Sequence, residues 1–241
     1  MEIAEDVEAG LGFKVFAATD IEDSKRTFVA TANAVAVVAN RYDGIDFPGD
    51  DCRLLFIEGL PKATNLQERF LMARMGAAVL LNDRVQTRVL QAIGRCTRSL
   101  EDYSAVVVSG DELPDYLADR RRRGFLHPEL QAELEFGIEQ SQGTSAADLL
   151  ENVGIFLENT ERWEAANQEI LSKRQAATQQ PFPAMKELQR AVPQEIEYQK
   201  RLWQGDYEVA LDYAERVLGG LASTELRGYR ALWHYLAGSA A

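Results

Sequence analysis

Four short apolar runs, spaced by stretches of helical character, constrain the first half of this 241-residue chain more than any other feature. FKVFA (Phe13–Ala17), AVAVVAN (Ala34–Asn40), CRLLFIEG (Cys52–Gly59) and SAVVVSG (Ser104–Gly110) read as buried strands, since strands covered on both faces lose the polar alternation of half-exposed ones. Asp20 is placed to cap a helix running to Ala32, and Asn65 one from Leu66 to Leu81. Asn82 or Asp83 opens a third, DRVQTRVLQAIGRCTR, with Val85, Val89, Leu90 and Ile93 on one face. Alternation at these lengths predicts a parallel sheet with helices on both faces. Ligands of such sheets bind beyond the carboxyl ends of the strands, and the Asn40–Asp51 loop leaves one of those ends.

After residue 124 the strand signals stop. HPELQAELEFGIEQ places Pro128 in a first helical turn, and helices are expected over 146–158, 160–180, 184–204, 206–218 and 224–237, with a break at QQPFPA (Gln179–Ala184). The expected organisation is an α/β domain over 1–125 followed by an all-α domain over 126–241. Phe125, Leu126, Leu130, Leu134 and Phe136 supply an apolar surface for docking the helical part. Trp163, Trp203 and Trp233 fall on separate helices, each large enough to anchor a helix–helix contact. Trp203–Leu211 contains G-x-Y-x-x-A, which resembles the turn of a tetratricopeptide-like hairpin. The 34-residue period is not kept, so ordinary hairpin packing is an equal reading.

Hydrophobic residues make up 46% of the chain and charged residues 27%, a globular balance. The formal net charge of −12 argues against a free-standing nucleic-acid binder. The charge is uneven. Arg53 to Arg98 holds eight Lys/Arg against three acids, whereas the chain beyond residue 124 holds 10 Lys/Arg against 18 Asp/Glu. The basic stretch is either a local phosphate grip or a solvated helix face. The Arg120–Arg123 run reads as a backbone grip or as the basic end of a helix. Cys52 and Cys96 lack CxxC spacing, so neither a zinc ribbon nor a redox pair is indicated, and His127 and His234 are too scattered for a metal site. No apolar run reaches the roughly 20 residues of a membrane span. MEIAEDVEAG lacks the basic start and apolar stretch of a secretory signal, so a cytoplasmic chain is expected.

Two segments carry chemistry. NRYDGIDFPGDDCRLLFIEGLP (40–61) leaves a strand, turns at Gly44 and sets Asp43 and Asp46 at the loop. Gly44 allows close backbone approach to a ligand, and a carboxylate there suits a sugar hydroxyl, a cation or an arginine. A tight strand-to-strand loop would look the same. QAIGRCTR (Gln91–Arg98) lies at a helix end. Arg95 and Arg98, three apart, project from one helical face, and two close guanidiniums invite an anion between them. Gln91, one turn earlier, can bond a phosphate oxygen or an attacking water. Arginines paired with acids of the same domain are the plainer alternative.

Together, D-G-I-D-x-P-G and Q-x-x-G-R-x-x-R resemble motifs V and VI of superfamily 2 helicases, in the DEAD/DEAH-box group close to the XPD/DinG-like branch. The resemblance covers residues 11–125 and implies an incomplete RecA-like second motor lobe. It implies that Arg95 and Arg98 reach the γ-phosphate of ATP, one as an arginine finger worth roughly a thousandfold in rate. It implies that Gln91 lies at the nucleotide cleft, and that Gly44 and Asp46 link nucleotide to nucleic acid. Asn40, Arg41 and Arg53 are the expected strand contacts. No G-x-x-x-x-G-K-[ST] phosphate loop, DEAD or DExH box or motif IV stands in the sequence. ATP and Mg2+ are therefore expected to be shared with a first lobe in cis or in trans. Expected partners are that lobe, a single nucleic-acid strand (DNA ahead of RNA), and a protein for the helical tail. A non-catalytic scaffold on a degenerate lobe is the alternative. The 241-residue chain alone is expected to release no phosphate from ATP. Nucleic-acid-stimulated phosphate release by the purified chain would contradict this.

Overall fold

A computed structural model describes residues 2–39, 45–60, 66–73, 82–97 and 102–241. The chain runs α1 (Glu2–Leu11), β1 (Lys14–Ala17), α2 (Ala18–Ile21), α3 (Arg26–Val29), β2 (Ala34–Val37), β3 (Leu54–Glu58), α4 (Leu66–Ala73), α5 (Asn82–Ile93), β4 (Ala105–Ser109), α6 (Glu112–Ala118) and α7 (Arg120–Arg123). It continues through α8 (Pro128–Ser141), α9 (Ala146–Glu158), α10 (Glu161–Ala176), α11 (Met185–Gln204), α12 (Tyr207–Gly220) and α13 (Arg227–Ala240). Short 3₁₀ turns fall at Gly49–Asp51, Gly94–Cys96 and Thr224–Leu226. None of the described helices is long and apolar enough to cross a membrane.

These elements fall into two compact units. The first comprises Met1–Pro61, Arg88–Asp115 and Ser141–Ala166; the second comprises Lys62–Thr87, Tyr116–Gln140 and Asn167–Ala241.

In the first unit the expected strands are present and parallel, but they pair in twos. β1 lies beside β2 with Lys14 opposite Ala34 and Ala17 opposite Val37. β3 lies beside β4 with Leu54 opposite Ala105 and Glu58 opposite Ser109. A two-stranded sheet covers its faces incompletely. β3 accordingly alternates, with Phe56 63% exposed, instead of being buried throughout as its composition suggests. The helix expected from Asp20 to Ala32 is split into α2 and α3. Asp20 lies inside α2, where its carboxylate accepts from the Ala17 N–H at 2.7 Å. Ser24 Oγ accepts from the Arg26 N–H at 3.3 Å, a local bond that competes with helix continuation.

The core of this unit gathers Phe16, Ile21, Phe47 and Cys96, with Phe28, Ala34, Ala36, Ile45, Cys52 and Leu55 packed around them. Phe28 meets Phe16 edge-on at 5.6 Å and Phe47 at 5.5 Å, so the loop after β2 is anchored by an aromatic row. Ser145 caps α9 by accepting from the Asp148 N–H at 3.2 Å. Phe156 of α9 packs edge-on against Trp163 of α10 at 4.6 Å.

The second unit is helical where described. Arg120–Arg123 forms its own short helix, with Asp119 accepting from the Arg121 and Arg122 N–H groups at 2.9 and 3.2 Å. α11, α12 and α13 enclose the largest buried cluster, built on Tyr198, Ala210, Ala214, Val217, Leu226, Tyr229 and Trp233. Gly205, at φ 79°, ends α11 in the left-handed region and reverses the chain into α12. The buried Tyr198 hydroxyl donates to the Leu236 carbonyl at 2.9 Å. Glu187 of α11 accepts from the Ala222 and Ser223 N–H groups at 2.7 and 3.1 Å and from the Ser223 hydroxyl. The Ser223 hydroxyl, followed by those two N–H groups, holds its carboxyl below the ordinary glutamate value.

The tryptophans divide. Trp233 is 3% exposed between Tyr198 and Tyr229, but Trp203 is 89% exposed and anchors no helix contact. Five residues along a helix is a rotation of roughly 140°, which carries Trp203 away from the face that Tyr198 buries. Trp233→Ala is therefore expected to cost about 3–5 kcal/mol, and Trp203→Ala no more than about 0.5 kcal/mol, in urea unfolding.

Candidate functional site

The loop after β2 and the turn after α5 are distant in sequence and meet in the first unit. α5 presents Val89 to the interior and stops at Ile93. Gly94, a weak helix former, opens the 3₁₀ turn, and Thr97 is extended at φ −133° and ψ 103°. Regular helical geometry therefore ends before Thr97.

The turn buries Arg95, which is 6% exposed. Its Nη1 donates to the Ile45 carbonyl. In return the Phe47 N–H donates to the Arg95 carbonyl at 3.1 Å. This reciprocal pair clasps the D-G-I-D-x-P-G loop to the Q-x-x-G-R-x-x-R turn. Gln91 lies one turn before Arg95 and is exposed.

Charged side chains hold the rest of the loop. Lys25 Nζ lies 2.6 Å from Asp51 Oδ2 and donates to the Asp46 backbone carbonyl at 2.8 Å. The Asp102 carboxylate accepts from the Gly49 N–H at 2.9 Å. Arg53 donates to Asp50 Oδ1 at 2.8 Å and to the Tyr103 carbonyl at 2.7 Å, and its guanidinium stacks 3.9 Å from the Tyr103 ring centre. Arg53, expected as a strand contact, is thus engaged within the unit. Asp46 is exposed. Asn40, Arg41, Gly44 and Arg98 lie outside the described residues.

Sequence reasoning missed Lys25, Asp51 and Asp102, because each acts through a partner more than twenty residues away. It also missed the relation of the cysteines. Cys96 belongs to the core cluster and Cys52 packs against it. The Cys96 S–H holds the Cys52 thiol below its ordinary value, while the same contact and burial push Cys96 up. Among the described residues, no group of three or more His, Cys, Asp or Glu is arranged to hold a metal ion.

Within the first unit, the paired parallel strands, the loop beyond β2 and the clasped turn set a basic helix end against a strand-end loop. Residues 13–114 match the family model of the helicase C-terminal domain, which supports a domain of that kind over this stretch. Comparison with curated proteins gave no match, and neither did comparison with solved structures.

Arg95→Met is expected to destabilise the chain by about 1–3 kcal/mol, the cost of depriving a buried carbonyl of a charged donor. Hydrogen exchange at the Phe47 amide should accelerate with it. An unchanged Phe47 exchange rate would show that the side chain does not hold the loop.

Proposed function

We propose that residues 13–114 act as the second RecA-like lobe of an ATP-dependent nucleic-acid helicase or translocase, of the XPD/DinG-like branch, working on a single strand with DNA ahead of RNA. The observation that most supports this reading is the clasp. It joins the loop carrying Asn40, Arg41, Gly44 and Asp46 to the turn between Gln91 and Arg98, so that a pull on one is felt by the other.

The donor set suits a phosphate-bearing ligand. Gln91–Arg98 carries an amide and two guanidinium charges, one of them the buried Arg95, and contains no acid. ATP with Mg2+ would be held mainly by a first lobe, in cis or in trans, and supplies the phosphoanhydride whose cleavage drives the cycle. From this chain, exposed Gln91 would bond the nucleotide or orient the attacking water. Arg98 would neutralise the γ-phosphate. Arg95, beyond adding positive potential, would transmit movement of the turn to Ile45 and Phe47. Gly44 and Asp46 would link nucleotide to strand, and Asn40, Arg41 and the Arg53 region would meet the strand. The acidic helical tail would position this lobe or bind a protein. The match over 13–114 favours this reading over a scaffold on a degenerate lobe.

The test is an assembly containing this chain and an ATP-binding first lobe. Arg98→Ala and Gln91→Ala should each lower nucleic-acid-stimulated kcat by about a hundredfold or more at saturating ATP, with Tm unchanged. Wild-type turnover in both variants would sink the assignment.

A further inference from the structure

The only two cysteines of the chain stand 44 positions apart in sequence and side by side in the fold. Cys52 follows the Gly49–Asp51 turn and leads into β3; Cys96 ends the turn that carries Arg95. Cys96 is fully buried, whereas Cys52 is partly exposed. Cys52 packs against the cluster that contains Cys96, and its Sγ donates to the Leu54 carbonyl at 3.4 Å. A buried cysteine without a reactive neighbour is inert. Here the accessible thiol has a second thiol as its neighbour, the arrangement of an oxidisable cysteine with a resolving partner. The two segments that carry the cysteines are already held together by the Phe47–Arg95 bond and the Arg95–Ile45 bond.

We propose that Cys52 and Cys96 form a redox-responsive pair, which a peroxide converts to an intrachain disulfide that fastens the Ile45–Arg53 loop to the Gly94–Cys96 turn. The Cys52 thiolate attacks one peroxide oxygen. The O–O bond breaks, the departing hydroxide takes a proton to leave as water, and Cys52 becomes a sulfenic acid. The Cys96 sulfur then attacks the Cys52 sulfur. The S–O bond breaks, and the second water leaves with the proton that Cys96 gives up. Two thiols and one peroxide thus yield one disulfide and two waters, with two electrons passing from sulfur to oxygen. Cys52 is the partly exposed thiol and Cys96 the buried one, so a peroxide reaches Cys52 first, which makes Cys52 the attacking group. The pair stands on the meeting of these two segments and not on the nucleotide role proposed for them, so its failure leaves the helicase reading untouched, and the reverse also holds.

The experiment treats the whole chain with equimolar hydrogen peroxide and then with an alkylating reagent. The expected product is monomeric, lighter by two hydrogens and not alkylated, with a digest fragment joining the Cys52 and Cys96 peptides. A dithiol reductant should return both thiols. Cys96→Ser should stop at a Cys52 sulfenic acid that a cyclic diketone traps, and Cys52→Ser should leave Cys96 unoxidised under the same treatment. If a variant fails to fold, the wild-type mass and digest still decide. Two alkylatable thiols after treatment, a disulfide between two chains, or Cys52 sulfinic acid without a crosslink would each overturn the proposal.

Discussion

The bond from the Arg95 guanidinium to the Ile45 carbonyl is the interaction on which the first unit turns. A guanidinium removed from water costs several kcal/mol unless its donors are met, and a charged donor to a carbonyl returns about 1.5–3 kcal/mol. The loop and the turn therefore hold their shapes together: without Ile45 in place Arg95 is costly to bury, and without Arg95 the Ile45 carbonyl loses a strong donor. The Phe47 amide closes the pair from the other direction, and the Phe47 ring continues it into the aromatic row with Phe28 and Phe16. The partly exposed pairs Lys25–Asp51 and Arg53–Asp50 add at most about 1 kcal/mol each. They steer the loop ends, while the buried clasp sets the register.

The α11–α13 cluster is held by different physics. Its buried members are alanines, aliphatics and aromatics, with Glu195 reaching in to accept from the Tyr229 hydroxyl. Ala191, Ala210, Ala214, Ala237 and Ala240 let the helix backbones approach, and Tyr198, Tyr229 and Trp233 fill the remaining volume edge-on. Charge enters this unit at its margins. Lys173 lies within 4 Å of Glu135, Glu139 and Glu169, and Glu187 gathers the N–H groups of the turn after α12. Such a core tolerates an acidic exterior, because its cohesion does not depend on the balance of surface charge.

The sequence was informative where structure is local. Val-rich runs located the strands, Pro128 marked a helix start, and the break at Gln179–Ala184 separates α10 from α11. It was uninformative where partners are remote. Pairing of the strands in twos follows from inter-strand bonds that composition does not encode, and the open face of β3 follows from what fails to cover it. Local competition also escaped it: Ser24 ends a helix whose apolar spacing would have let it continue. At the site, the two motif segments were visible as patterns, yet their mutual clasp was not, since nothing in Q-x-x-G-R-x-x-R says that its first arginine is buried. The placing of both cysteines at one cluster escaped it for the same reason. CxxC spacing reports only pairs that are close along the chain, whereas Cys52 and Cys96 are brought together by the packing of Phe16, Ile21 and Phe47.

Charge counted along the chain also differs from charge available to a ligand. The stretch from Arg53 to Arg98 carries eight cations against three acids, which on paper is a strongly basic belt. Arg53 is engaged with Asp50 and Tyr103, Arg84 is paired with Glu68, and Arg95 is buried on Ile45. Cations engaged in this way contribute to the long-range potential but do not offer their donors to a phosphate. Among the described cations of this stretch, Arg53, Arg84 and Arg95 therefore add potential while their donors are directed to groups of the chain itself. Arg53 and Arg95 thus serve their own loop and turn first: each uses its donors to hold chain segments about fifty residues apart in register.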